Sequence, residues 1–249
     1  MYFWKCWRDS RTLFIDSLIA LPALCIIFTV IAVKLGDPDA MRKATPPSVF
    51  QAWSTTTEVV LGGWASLFTL MWGLVLGASS LGEEFKEKTL DFLLVRPRRR
   101  RYWVWAGWSV GVCELSAMVL LTVGATFGTL TYLTGHVQTW WPLTTTLPLA
   151  LGGAVVYGLT YFMTLVARSG RQGLSYGIGI LFINLLLPPA VDYYWKTEFH
   201  YSIFGFMMAA CRWVTRASGA FPAGSLVLWV VIALAFPFAA QLVLERAEV

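Results

Sequence analysis

The sequence predicts an all-α membrane protein: six transmembrane helices, an N-terminal interfacial helix, a charged helix in a cytoplasmic loop, and short outer helices before the sixth span. Three observations carry this. Hydrophobic residues make up 57% of the chain and charged residues 13%, about half the charged share of a soluble domain. Six apolar stretches reach the roughly 20 residues that a hydrocarbon core requires. Lysine and arginine are also unevenly shared between the two sets of connections.

Residues 1–11, MYFWKCWRDSR, mix aromatic and basic side chains and read as a helix lying on the inner leaflet. The first span, Leu13–Val33, is too long for a signal-peptide core and lacks a small-residue cleavage site. The others run Val59–Leu81, Trp103–Leu133, Leu147–Ala167, Leu174–Val191 and Leu226–Leu244. The third exceeds what a span needs, so it tilts or extends beyond the bilayer. The fifth is short and is expected to break at Pro188-Pro189. Residues 192–224 form an outer segment whose run Phe204–Ala210 is too apolar for a solvated loop, so a re-entrant or surface amphipathic helix is expected there, with a flexible loop as the alternative.

Six spans put both termini on one side. The N-terminal segment, the 82–102 loop, the 168–173 loop and the tail hold 13 Lys and Arg, and the other three connections hold 6. The positive-inside rule makes the richer side, with both termini, cytoplasmic. The chain thus reads as a single multi-pass domain. Its net charge of +5 sits beside apolar spans, which suits anionic lipid headgroups and not nucleic acid.

The densest charge lies in Ser80–Trp103, SLGEEFKEKTLDFLLVRPRRRRYW, which holds 7 of the 19 Lys and Arg. Ser80 and Glu83 have the spacing of a capping box, Glu83 and Glu84 suit a helix N-terminus, and Glu84 and Lys88 are i,i+4. A helix over 82–96 ending before Pro97 is expected, with Arg98, Arg99, Arg100 and Arg101 after it. Such a helix is suited to a soluble partner.

Within the spans, Glu114 lies 11 residues beyond Trp103, about 16 Å along a helix and near mid-bilayer. An intramembrane carboxylate is a functional-site hypothesis by default. No Lys or Arg lies deep in another span. Glu114 is therefore protonated, faces a polar pathway, or hydrogen-bonds to Asn184 or to Ser and Thr groups, and a structural helix–helix contact is the alternative. Asp16, in the first turns of span one, has Arg8 and Arg11 within reach. GxxxG spacings occur at Gly73/Gly77, Gly107/Gly111, Gly124/Gly128 and Gly173/Gly177, and several are expected by chance among 21 glycines.

Four cysteines lack metal-ligand spacing, and no GxxxxGK[ST] phosphate loop or HExxH is present. His136 and His200 fall in outer loops without a nearby nucleophile. These absences argue against an enzyme, a resident cofactor or a metal centre in this chain.

In its layout the chain resembles the ABC-2 type permeases, membrane subunits of bacterial ABC exporters. The motif match is the first cytoplasmic loop: Glu83-Glu84-Phe85-Lys86-Glu87-Lys88-Thr89-Leu90-Asp91-Phe92-Leu93-Leu94, then Pro97 and Arg100. Lys88 stands where the family usually has glycine, and Gly107 where a lysine commonly starts span three. The resemblance implies a permease in the bacterial cytoplasmic membrane that pairs with a second, identical or related copy to enclose a pathway. Two separate ATPase subunits, which bind the ATP and Mg, would dock beneath it. The 82–96 helix would couple them: Glu83, Glu84, Lys86 and Lys88 through polar contacts, Phe85, Leu90 and Phe92 by packing. Arg98–Arg101 would anchor to lipid or touch the ATPase edge. A pathway lined by apolar and aromatic side chains suits lipids, amphipathic peptides or hydrophobic drugs. The competing reading is a non-transporting membrane scaffold, sensor or immunity protein that uses the same charged loop.

Overall fold

The computed structural model describes residues 2–35, 57–86, 100–135, 141–195, 202–216 and 223–246, and among them there is no strand. The helices are α1 (Tyr2–Leu35), a π-helical segment (Glu58–Ala65) leading into α2 (Ser66–Lys86), α3 (Arg100–Thr134), α4 (Trp141–Ala167), α5 (Gly170–Trp195), α6 (Ile203–Arg216) and α7 (Ala223–Arg246). Five stretches are long and apolar enough to cross a membrane: Ser10–Lys34, Val59–Gly82, Arg101–Thr134, Thr145–Ala167 and Gly224–Arg246. The expected fifth span lies in α5, which is helical over 26 residues but is not among these five.

The bundle is built around α4, which packs against α2, α3, α5, α6 and α7. Of its most apolar window 67% is buried, against 22% for α1 and for α7. Its sequence explains this position. Gly152, Gly153, Ala154, Gly158 and Thr160 leave little side chain between backbones, so neighbours approach from several directions. The outward faces of α1 and α7 carry Ile15, Ile19, Ile31, Val227, Val231 and Leu242, all exposed, as lipid-facing helices would.

Close contacts fix the directions. Gly73 and Gly77 of α2 lie against the backbone of α4 at Gly153 and Tyr157, so these two helices run parallel. Gly107 and Gly111 of α3 lie against Tyr161 and Tyr157, which makes α3 and α4 antiparallel. Gly173 and Gly177 of α5 meet Thr164 and Thr160 in a second antiparallel pairing. That hairpin turns within Arg168-Ser169, and Arg168 takes a positive φ of 52°. At the far end of α3, Gly135 (φ 75°) closes the helix with its N–H on the Thr131 carbonyl at 2.8 Å, the left-handed stop that glycine accepts without strain. Three of the four GxxxG spacings are therefore packing contacts. Gly124 and Gly128 have nothing within 4 Å of a notional Cβ.

Hydroxyl groups within the helices mostly bond back to their own backbone. Thr29, Thr69, Thr122, Thr126 and Thr160 each donate to the carbonyl four residues earlier, at 2.6–2.9 Å. In an apolar surrounding, where water is absent, this satisfies the donor locally.

Several expectations are corrected. Residues 2–11 are not a separate helix: α1 runs unbroken from Tyr2, because no glycine or proline interrupts the chain before Pro22. Ser80 does not cap a new helix. It sits inside α2, its hydroxyl donates to the Gly77 carbonyl at 3.1 Å, and the helix continues through Glu83, Glu84 and Phe85 to Lys86. The break expected at Pro188-Pro189 does not occur, since α5 continues to Trp195. The 192–224 segment is divided: its first residues end α5, and Ile203–Arg216 form the helix α6.

The helix α6 is amphipathic as its spacing predicts, with Ile203, Phe206, Met207 and Cys211 buried on one side. It packs on the π-helical segment, where Gly62 meets Cys211 and Met208, and on α4, where Gly152 meets Met207. Ser202 caps it, accepting the Gly205 N–H at 3.3 Å, and the Asn184 side-chain carbonyl of α5 accepts the Ile203 N–H at 3.0 Å. Phe206 also packs on Trp229 of α7, with ring centroids 6.3 Å apart.

Candidate functional site

One end of the bundle gathers the N-termini of α1, α3 and α5 and the C-termini of α2, α4 and α7. Ser10 bonds to Glu114 of α3, Arg101 of α3 to Glu245 of α7 at 2.9 Å, and Gly82 lies against Gly170. Both ends of the described chain and the root of the charged segment therefore share one face of the molecule. Exposed Arg8, Arg11, Arg168, Arg171 and Arg246 belong to it.

A cavity of about 50 Å³ opens here between α1, α2, α3 and α4. Its polar wall is Ser10 and Cys6 from α1, Ser79 and Ser80 from α2, Glu114 from α3 and Tyr157 from α4. Leu13, Leu76 and Val110 close the apolar side. Each group arrives for a local reason. Ser79 and Ser80 follow within one turn of Gly77, the second of the two glycines that seat α2 on α4. Gly111 leaves a groove in α3 that the Tyr157 ring fills, Gly107 lies against Tyr161, and the Tyr157 phenol donates to the Gly107 carbonyl at 2.9 Å. Glu114 comes one turn after Gly111, on the same face of α3.

Glu114 is 3% exposed. The Ser10 hydroxyl donates to its Oε1; the same hydroxyl also lies 3.0 Å from the Cys6 carbonyl and 3.3 Å from that of Trp7. No basic side chain is among the residues lining the cavity. Glu114 and Tyr157 lie well inside the apolar stretches of α3 and α4, whereas Ser10 begins that of α1 and Ser80 lies near the end of that of α2. One sequence expectation changes at this point: Asn184 takes no part here, since its side chain serves the N-terminus of α6.

Beside the cavity, α3 and α7 are joined by a polar ladder. Trp105 donates to Gln241 at 3.2 Å, Gln241 to Glu245 at 2.9 Å, and Arg101 to the same Glu245 oxygen at 2.9 Å. Arg101, expected at a lipid or partner edge, is thus also a contact within the chain. Trp105 packs edge-on against Trp108 and Phe238, with centroids 5.8 and 5.0 Å away. Asp16 is exposed on α1.

Of the residues expected in the charged helix, Glu83, Glu84, Phe85 and Lys86 are the last four of α2 and Arg100 is the first of α3. Lys88, Leu90, Phe92, Arg98 and Arg99 lie outside the described residues. Sequence reading found Glu114 but missed Ser10, Ser79, Ser80 and Tyr157. The available signal was that Ser79-Ser80 sit within an apolar span shortly after Gly73 and Gly77.

Among the described residues no three His, Cys, Asp or Glu side chains converge as a metal site, and no disulfide joins Cys6, Cys25, Cys113 and Cys211. The fold and site define an all-α chain with five helices long and apolar enough to cross a membrane, and a carboxylate held in a polar cavity at one end. No family model and no curated protein matches it.

Proposed function

We propose that the chain is the membrane permease subunit of an ATP-driven ABC-2 type exporter in the bacterial cytoplasmic membrane. It pairs with a second permease copy, identical or related, and is driven by two separate ATPase subunits that bind ATP and Mg. In this reading α5 is the remaining span, giving six, and the face that gathers both termini is cytoplasmic, in keeping with its positive charge. The 82–96 segment is the coupling element, and the substrate is a lipid, an amphipathic peptide or a hydrophobic drug.

One observation carries the proposal. The charged segment starts as a direct extension of α2, and α2 is the helix seated on the central α4 through backbone contacts at Gly73 and Gly77. A push on Glu83–Lys86 is therefore delivered to the middle of the bundle without an intervening flexible joint. That is the mechanical property a coupling element needs, and it adds to the motif resemblance in the same loop.

The test is co-purification with the ATPase encoded beside this chain, followed by ATP hydrolysis and transport in lipid nanodiscs. Joint charge reversal of Glu84 and Lys88, or Phe85→Ala, should uncouple hydrolysis from transport while the permease remains inserted and dimeric. Coupling that survives both changes overturns the assignment. Failure to bind any such ATPase favours a scaffold or sensor.

A further inference from the structure

We infer that the cavity between α1, α2, α3 and α4 is a binding site for one small monovalent cation of the size of sodium, with Glu114 as its charged ligand.

The argument rests on where the hydroxyl protons go. A hydroxyl has one proton to donate and two lone pairs to offer. Ser79 gives its proton to the Leu76 carbonyl at 3.1 Å, Ser80 to Gly77 at 3.1 Å, and Tyr157 to Gly107 at 2.9 Å. The Ser80 and Tyr157 hydroxyls also hydrogen-bond to each other, so one lone pair is used between them and the oxygens line the cavity with those that remain. Glu114 adds a carboxyl group that is 3% exposed. The polar wall is thus rich in acceptors, and Glu114 is its one carboxylic acid; no lysine, arginine or histidine among the lining residues neutralises it.

A buried carboxylate without a cationic partner is costly, and the cost falls when a positive charge joins it. Hard oxygen ligands select a hard cation. A single carboxylate supplies one negative charge, which balances a monovalent ion and leaves a divalent one half-compensated. The space of about 50 Å³ holds an ion with a few waters, since one water takes about 10–15 Å³ on this measure. It is too small for a drug or a lipid, so this site is distinct from any transport pathway for such molecules, and the inference does not rest on coupling to an ATPase. Ser10 belongs to the site as a positioning residue, because its bond to Oε1 fixes how the carboxylate faces the cavity.

The test uses the purified full-length chain in detergent or nanodiscs. Thermal unfolding is followed by tryptophan fluorescence while sodium chloride replaces N-methyl-D-glucamine chloride at constant ionic strength, and binding of radioactive sodium is counted directly. A saturable rise in melting temperature with one ion bound per chain, lost in Glu114→Gln, is expected. Absence of any sodium-specific rise in the natural chain overturns the inference, as does a rise that Glu114→Gln retains. Should Glu114→Gln fail to fold, the Ser79→Ala, Ser80→Ala double variant takes its place. Weakened sodium affinity in that variant supports the site, and unchanged affinity overturns it.

Discussion

Alanine at Gly77 and alanine at Gly124 should have opposite effects on stability, although each glycine begins or ends a GxxxG spacing in an apolar helix. At Gly77 a Cβ would meet the Tyr157 carbonyl oxygen at 2.7 Å, Thr160 Cβ at 2.9 Å and the Tyr161 nitrogen at 3.1 Å. Two of these are backbone atoms, which cannot rotate aside. Ordinary contact begins at 3.4 Å, so α2 and α4 must separate by roughly 0.5–1 Å, a gap that forfeits a quarter to a half of the dispersion energy of each contact along the seam. Overpacking of this kind costs about 1–3 kcal/mol, while the better helix propensity of alanine returns up to about 1 kcal/mol. A net loss of about 1–2 kcal/mol is expected for Gly77→Ala. At Gly124 nothing stands within 4 Å, so only the propensity gain remains, between zero and about 1 kcal/mol. Reversible unfolding in mixed micelles of rising dodecyl sulfate fraction measures both, with the 13 tryptophans as the reporter. Equal stability of the two variants, or a larger loss at Gly124, would refute the close seating of α2 on α4.

Three further outcomes can be measured in the same way. Arg168→Gly should stabilise the α4–α5 hairpin by about 0.5–1 kcal/mol, since a positive φ strains any residue with a Cβ; a loss would mean that the arginine side chain does more than occupy the turn. Tyr157→Phe should cost about 1 kcal/mol through the bond to Gly107, while the ring continues to fill the groove at Gly111, and a stability equal to the natural chain would show that bond to be absent. Ser202→Ala should cost about 1 kcal/mol as a lost N-cap and speed amide exchange within α6 specifically, so unchanged exchange there would argue against the cap.

The span boundaries were legible because they rest on composition over twenty residues, and single residues barely move them. Val59–Leu81 became the π segment with α2, and Leu147–Ala167 became the core of α4. Junctions were not legible, because they depend on which of two local bonds wins. Ser80 has the spacing of a cap, yet α2 runs on through Gly82 to Lys86 and the Ser80 hydroxyl turns back to Gly77. Pro188-Pro189 has the form of a stop, and α5 passes through it. The site was half legible. Glu114 is conspicuous as an acid in an apolar run, but its partner Ser10 lies 104 positions away. The glycine pairs could be read from spacing, whereas the identity of the one without a close neighbour, Gly124/Gly128, depends on how α3 is rotated about its axis.

The π-helical segment has a consequence for how this chain tolerates insertion and deletion. Over Glu58–Ala65 the helix is wound more widely than α, and the Ser66 N–H and hydroxyl both reach the Leu61 carbonyl, five residues back, the latter at 3.0 Å. Such a segment holds surplus residues for its length. Removing one, such as Gly63, which has open space around it, would let the winding tighten to α while Gly62 and Trp64 shift only locally against α6 and α1. The same deletion in α4 would turn every later residue by about 100° and misalign five neighbours at once. The two helices therefore differ in how freely length can change within them: the π-helical stretch can absorb a lost residue, whereas the central helix must keep its count.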